Sequence, residues 1–219
     1  MNNDSFVLID TIYRSRMTLL DILEDRGYIV ENYRKFSPVE ASAAVSSFPG
    51  LSFIAHHKDG EKICDVRYGT VSRQKLESFF EDIKDDETSN REVIVMIKDS
   101  ISDAHHIAAI KQYMRMTDIT NEKGEKQRRK LKVSFFSIYM IMINPLKHIL
   151  VPKHEIVPEE EHKELMDSMY ITSKAKFPEI KYHIDPITRC IGAAPGDIIK
   201  ITRASASSGV AIIYRVCSP

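Results

Sequence analysis

The chain has 219 residues, 43% hydrophobic and 28% charged, and its 31 basic side chains balance 31 acidic ones. That length allows one large domain or two small ones, and no apolar run approaches the ~20 residues that a membrane helix needs. Neutrality argues against a free-standing nucleic-acid binder, which carries a basic excess to neutralise phosphates.

Met1-Asn2-Asn3-Asp4-Ser5 lacks the basic start of a signal peptide, so the chain is expected to stay inside the cell. Cys64, Cys190 and Cys217 have neither metal-ligand spacing nor even pairing and read as reduced thiols. Phe6, Ile9, Ile12, Tyr13, Arg16, Met17, Leu20 and Leu23 recur at helical spacing and predict a helix over 5–26 with Gly27 as its C-cap. Ser37-Pro38-Val39-Glu40 is a capping box that predicts a helix to about Phe48, where Pro49-Gly50 stops it. Residues 51–57 and 62–68 predict a hairpin around Asp59-Gly60. Leu76, Phe79, Phe80 and Ile83 suggest a helix after the cap candidate Ser72. Glu92 to Lys98 reads as a central strand buried on both faces, and Ser102-Asp103 caps a helix reaching Met116. Thr117 to Lys132 reads as a polar loop, rich in basic residues but also holding Glu122 and Glu125. Val133 to Ile143 returns to the sheet, and Asn144-Pro145 closes the first domain.

In the second domain, Pro158 and Glu159 to Glu161 place negative charge at a helix N-terminus, where the macrodipole favours it; that helix ends near Met169. Asp185-Pro186 caps a short helix ended by Gly192. Residues 197–203 and 210–216 predict an antiparallel pair around a turn at Ser205 to Gly209, with Ile199 and Ile201 on one face and Ile198, Lys200 and Thr202 on the other.

Little in the chain suggests catalysis. His56-His57 and His105-His106 are adjacent pairs that cannot converge on one metal and read as surface residues; Cys190 reads as core. A metal-dependent nuclease needs clustered carboxylates and a lysine; Asp59-Gly60-Glu61-Lys62 has the residue types but sits on a turn, and Glu92 and Lys98 bracket a whole strand.

Ile143-Asn144, the run from His148 to His154, the run from Asp185 to Gly192, and Gly196 to Arg203 followed by Tyr214-Arg215 share an order and spacing. Together they resemble the C-terminal part of the fifth, shared subunit of the nuclear DNA-dependent RNA polymerases, which has a counterpart in the archaeal polymerase. The resemblance is specific over 143–215 and thinner but collinear from the first helix to Lys132, and it includes Asp25-Arg26-Gly27-Tyr28.

The resemblance implies an α+β chain. Residues 1–144 would form a mixed sheet flanked by helices, a nuclease-like jaw fold beside downstream DNA, and residues 145–219 a small α+β assembly domain anchored on the largest polymerase subunit. It further implies a non-catalytic subunit without cofactor, partnered by polymerase subunits and, weakly and without sequence preference, by duplex DNA. The localisation implied is the nucleus, or the virion or viral factory for a virus. Carried over by residue, the anchoring set is Leu150, Val151, Pro152, His154, Asp185, Pro186, Arg189, Gly192, Gly196, Lys200, Arg203, Ser205, Ser207, Gly209, Tyr214 and Arg215. The DNA-proximal set is Ser102, His105, Lys123, Lys126, Arg128, Arg129 and Lys130.

The chain departs from the family where Ala204-Ser205-Ala206-Ser207 replaces Pro-Ser-Glu-Thr, where Pro195 replaces a basic residue, and where Ile101-Ser102-Asp103-Ala104 replaces Thr-Pro-Ser-Ala. These departures imply a divergent lineage, a protist or a large DNA virus with its own polymerase. Two other classes stay open at this level: a nuclease-fold enzyme, and a stand-alone nucleic-acid-binding module using the loop from Lys123 to Lys132.

Overall fold

The N-terminal apolar repeat folds as helix α1 (Asn3–Asp25), which buries Ile12, Leu19, Leu20 and Leu23 along one stripe. Gly27 ends it with a φ of 90°. A Cβ at that position would lie 2.5 Å from His57 Nε2, so both conformation and space require glycine. In this computed structural model, residues 3–44, 46–71, 76, 78–84, 87, 90–120 and 124–219 are described. The chain divides into two compact units, Met1–Asn144 and Pro145–Pro219.

The first unit is built on a five-stranded sheet in the order β1 (Tyr28–Ile29), β2 (Phe53–His57), β3 (Ile63–Tyr68), β4 (Arg91–Ile97) and β7 (Lys132–Ser137). The β1–β2 and β2–β3 pairs are antiparallel, and the β3–β4 and β4–β7 pairs are parallel. Strand β4 lies between two parallel neighbours, and Val93 to Ile97 are all buried, which explains their lack of polar alternation. The predicted hairpin closes as expected: Asp59 Oδ1 accepts the N–H groups of Glu61 at 3.0 Å and Lys62 at 3.3 Å.

Several expected elements are corrected. Helix α3 (Pro38–Ala44) keeps its capping box, Ser37 N donating to Glu40 Oε2 at 2.7 Å, but ends before Phe48; Phe48–Leu51 is a 3₁₀ turn. The helix predicted around Phe79 is a 3₁₀ turn, Ser78–Phe80, and its cap candidate Ser72 lies outside the described residues. Arginines take the place of helical donors there: Arg67 donates to Phe79 O at 2.9 Å, and Arg129 to Phe80 O at 3.3 Å and Ile83 O at 2.9 Å. The polar stretch after α4 (Asp103–Met114) is a ribbon of β5 (Met116–Thr120) and β6 (Lys126–Arg128) rather than a loop. The final strand stops at Ser137, and residues 138–141 turn. The two-residue β1 and the single turn α2 (Glu31–Arg34) are too short to leave a periodic signal.

The second unit is a four-stranded sheet ordered β8 (Lys153–Ile156), β10 (Ile198–Ser205), β11 (Gly209–Ser218) and β9 (Glu179–Lys181). Strands β8, β10 and β11 are antiparallel, and β9 runs parallel to β11. Pro158 and the acidic run open a 3₁₀ turn that passes into α5 (His162–Ser168). Leu165 and Met166 of α5 pack with Val157, Phe177, Ile198 and Val216, covering one face of the sheet at the Ile198 end. Helix α6 (Pro186–Cys190) begins as predicted, Asp185 Oδ1 accepting Ile187 N at 2.8 Å.

Candidate functional site

The carboxylates weighed for nuclease chemistry are engaged otherwise. Asp59 caps its own turn and faces His57 Nδ1 at 3.0 Å, and these main-chain and histidine donors hold its carboxyl below the usual range despite some desolvation. Glu92 is buried and ion-paired to Arg26. Burial works to raise its carboxyl, but Arg26, the Tyr28 hydroxyl and Lys132 more than offset this, so it stays below the ordinary carboxylate value. The Tyr28 hydroxyl is pushed up by the same burial and by Glu92. Asp25-Arg26-Gly27-Tyr28 thus ends α1 and neutralises a buried strand carboxylate, a structural hub. Among the described residues, no group of three or more His, Cys, Asp or Glu side chains is placed to hold a metal.

The DNA-proximal set divides. Ser102 and His105 form a capping box on α4: His105 Nδ1 lies 3.2 Å from Ser102 N and 2.8 Å from Ser102 Oγ, and Nε2 lies 3.4 Å from Val71 O. His105 and His106 are both buried, which corrects their reading as surface histidines. His105 packs edge-on against Phe135 at 5.2 Å between ring centroids. Arg129 is 1% exposed. Its guanidinium donates to Gln112 and to the carbonyls of Phe80 and Ile83, so it clamps the first unit and has no surface to offer a phosphate. The chain accommodates this at Lys130, whose φ of 57° lets Arg129 and Leu131 both turn inward while Lys130 stays exposed. Lys126 is exposed on the ribbon; the side chain of Arg128 and all of Lys123 lie outside what is described.

The anchoring set divides as well. Arg189 is 3% exposed and donates to Tyr182 O and His183 O at 3.1 and 2.9 Å, and burial lowers its basicity. It organises the approach to α6 and has no surface to offer a partner. Asp185 and Pro186 start α6, and Gly192, at a φ of 75°, ends it. Gly196, at 99°, donates to Cys217 O at 2.8 Å. His154 Nδ1 meets Pro152 O at 2.7 Å, Arg215 donates to Glu179 O at 2.9 Å, and Lys200 lies between Glu155 and Tyr214. Val151, Pro152 and Tyr214 are half-buried.

What remains on the surface is an apolar turn and a hairpin. Ile149 and Leu150 are 94% and 82% exposed. The β10–β11 hairpin carries Arg203, Ser207 and Gly209 outward, with Ser205 Oγ 3.3 Å from Ser207 Oγ at its tip. Beside them, Val210 and Ile212 are 59% and 50% exposed, although neither belongs to the set read from the sequence. The available signal was Val210-Ala211-Ile212-Ile213-Tyr214, an apolar run on both faces of the strand.

Residues 143–217 match the family model described as RNA polymerase Rpb5, C-terminal domain. A DNA-directed RNA polymerase subunit Rpo5 from Pyrococcus abyssi is 49% identical over 73 residues, 33% of this chain and 87% of the relative. The chain belongs to the Rpb5/Rpo5 family. The corresponding protein of Archaeoglobus fulgidus is 49% identical over 69 residues, 32% of this chain and 88% of the relative. The subunit rpabc1 of DNA-directed RNA polymerases I, II and III from Dictyostelium discoideum is 27% identical over 218 residues, 95% of this chain and 98% of the relative. Rpb5 and Rpo5 proteins are non-catalytic subunits of a multisubunit polymerase, and the chain is one of this family.

Proposed function

We propose that the chain anchors through its C-terminal unit to the largest subunit of a DNA-dependent RNA polymerase and presents its N-terminal unit as part of the lower jaw beside downstream DNA. In a cellular source that places it in the nucleus; in a viral one, in the virion or the viral factory. One observation carries the division of labour. An archaeal polymerase subunit is matched over 87% of its length by 73 residues, about the size of the 75-residue unit from 145 to 219, so a subunit can consist of little more than this unit. The N-terminal unit is the addition, and its exposed Lys126 and Lys130 supply phosphate contacts that position without specifying sequence.

The test is co-purification of a tagged chain with polymerase subunits, beside the fragment 145–219. The full chain and the fragment are expected to recover the largest subunit, and residues 1–144 alone to recover none. A folded 145–219 fragment that fails to bind would refute the division.

A further inference from the structure

Strand β11 outruns its neighbour: β9 pairs only with Val216, Cys217 and Ser218, whereas β10 pairs with Gly209 through Val216. Val216 N donates to Pro178 O at 2.9 Å, and Cys217 N donates to Asp197 O at 2.8 Å. Even-numbered residues of β11 therefore turn their main-chain groups away from β10 and odd-numbered ones toward it. The N–H and C=O groups of Ile212 and Tyr214 lie on an outer edge that no strand among the described residues pairs. Val210 is different, because Ser208 O accepts its N–H at 2.8 Å and Ser208 Oγ donates to its carbonyl at 3.2 Å. Pro178 stops the β9 ladder at Val216, but β11 itself has no proline, bulge or lysine between Val210 and Tyr214 to protect the edge beyond it. Val210 and Ile212 stand exposed beside it. The charged residues on the free stretch and on the β10 residues opposite are Lys200, Arg203 and Arg215, with no acid among them.

We infer that this edge takes an extended segment of the largest polymerase subunit as a fifth strand, hydrogen-bonded at Ile212 and Tyr214. The segment sets an apolar side chain against Val210 and Ile212 and a carboxylate near Arg203. This rests on the reading that the C-terminal unit is the anchor. A second copy of the chain fits poorly: it would bring the same basic residues to the junction, and the few residues of the free edge fall far short of the ~20–30 a side of a stable interface. A segment of a subunit that is anchored on the same unit elsewhere needs no such area, since main-chain pairing supplies affinity and alternate side chains supply specificity.

Amide hydrogen exchange of the full chain, alone and within the purified polymerase, tests this without any substitution. Exchange at Ile212 and Tyr214 is expected to be fast in the free chain and slowed about tenfold or more in the polymerase, as two added main-chain bonds imply. Ile212→Pro removes the outward N–H, leaves the ladder to β10 intact, and should lower incorporation about tenfold, while Ile212→Thr should incorporate normally. If the chain enters the polymerase while both amides still exchange fast, the inference falls and the anchoring reading stands. If both amides are protected in the purified chain in a concentration-dependent way, the occupant is a second copy and the inference is overturned. If the chain never enters the polymerase, the anchoring reading fails and the inference fails with it.

Discussion

Replacing Arg129 separates a buried clamp from a DNA contact. Its guanidinium meets the side-chain oxygen of Gln112 and two main-chain carbonyls, at 2.9 Å for Ile83 and 3.3 Å for Phe80. Arg129→Ala strands two buried acceptors, Gln112 Oε1 and Ile83 O, while Phe80 O keeps the Ile83 N–H at 3.3 Å. At about 1–3 kcal/mol for each unsatisfied buried group, discounted for the freedom of Gln112 to turn, the loss is about 2–4 kcal/mol. Arg129→Lys should recover little, because an ammonium cannot span three acceptors arranged for a planar fork. Urea denaturation of the full chain reads this as a fall in the midpoint of the N-terminal transition with unchanged slope. The competing expectation, in which Arg129 neutralises a phosphate, gives a different signature: stability unchanged, and the slope of log affinity against log salt flattened by about 0.9. If Arg129→Ala leaves the urea midpoint in place and flattens that slope, the clamp is wrong. With Arg129 turned inward, phosphate contacts by the exposed Lys126 and Lys130 would give a slope of about −1.8.

Two further outcomes follow from the same chain. Because the folded-state carboxyl of Glu92 is held below its ordinary value, its contribution is present above the ordinary carboxylate pKa and is lost as pH falls through the folded value. Glu92→Gln should therefore cost about 3 kcal/mol near neutral pH by leaving Arg26 buried without its partner, and this gap should narrow in acid; a gap unchanged at about pH 3.5, below the ordinary carboxylate value, would assign the effect to packing. At Gly209, with a φ of 70° and nothing within 4 Å of where a Cβ would stand, Gly209→Val costs backbone strain of about 1–2 kcal/mol and no clash. Thermal melting should show that loss, Gly209→Asn should show less of it, and equal losses for both would point to the side chain rather than to φ.

The parts of the fold legible in the sequence are those where local chemistry and the final packing agree. Ser37 and Glu40 satisfy each other's main-chain donors, Asp59-Gly60 closes a turn within four residues, and Asp185-Pro186 starts α6; each signal is complete within one turn of chain. The errors fall where a distant side chain replaces a local partner. Nothing near Phe79 announces that Arg67 and Arg129 will take the carbonyls of that segment, so apolar spacing suggested a helix. Basic residues at 126–132 read as one solvated loop because sequence cannot show that Lys130 adopts a left-handed backbone that turns its two neighbours inward. Strand β9 has three residues and its pairing lies entirely with β11, so it leaves no period to read.

The residues that make the family recognisable need not be the residues that touch a partner. Asp185, Arg189, Gly192 and Gly196 carry much of the likeness, yet they start, brace and end α6 and set the turn into β10 with bonds that are all internal. Their chemistry admits few alternatives: a capping carboxylate, a guanidinium reaching two carbonyls, and glycines at positive φ. A docking strand has the opposite character, because the main chain supplies its bonds and any β-branched or aromatic side chain can flank it. Likeness at 185–196 therefore identifies the scaffold, while the exposed side chains of Leu150, Arg203, Val210 and Ile212 contribute little to it and can change without loss of the fold. It follows that substitutions at Arg189 should abolish assembly by unfolding the C-terminal unit, whereas Val210→Asp should weaken assembly with the unit still folded, and near-ultraviolet circular dichroism separates the two. If Arg189→Ala kept native spectra yet lost the polymerase, the division between scaffold and contact would be wrong.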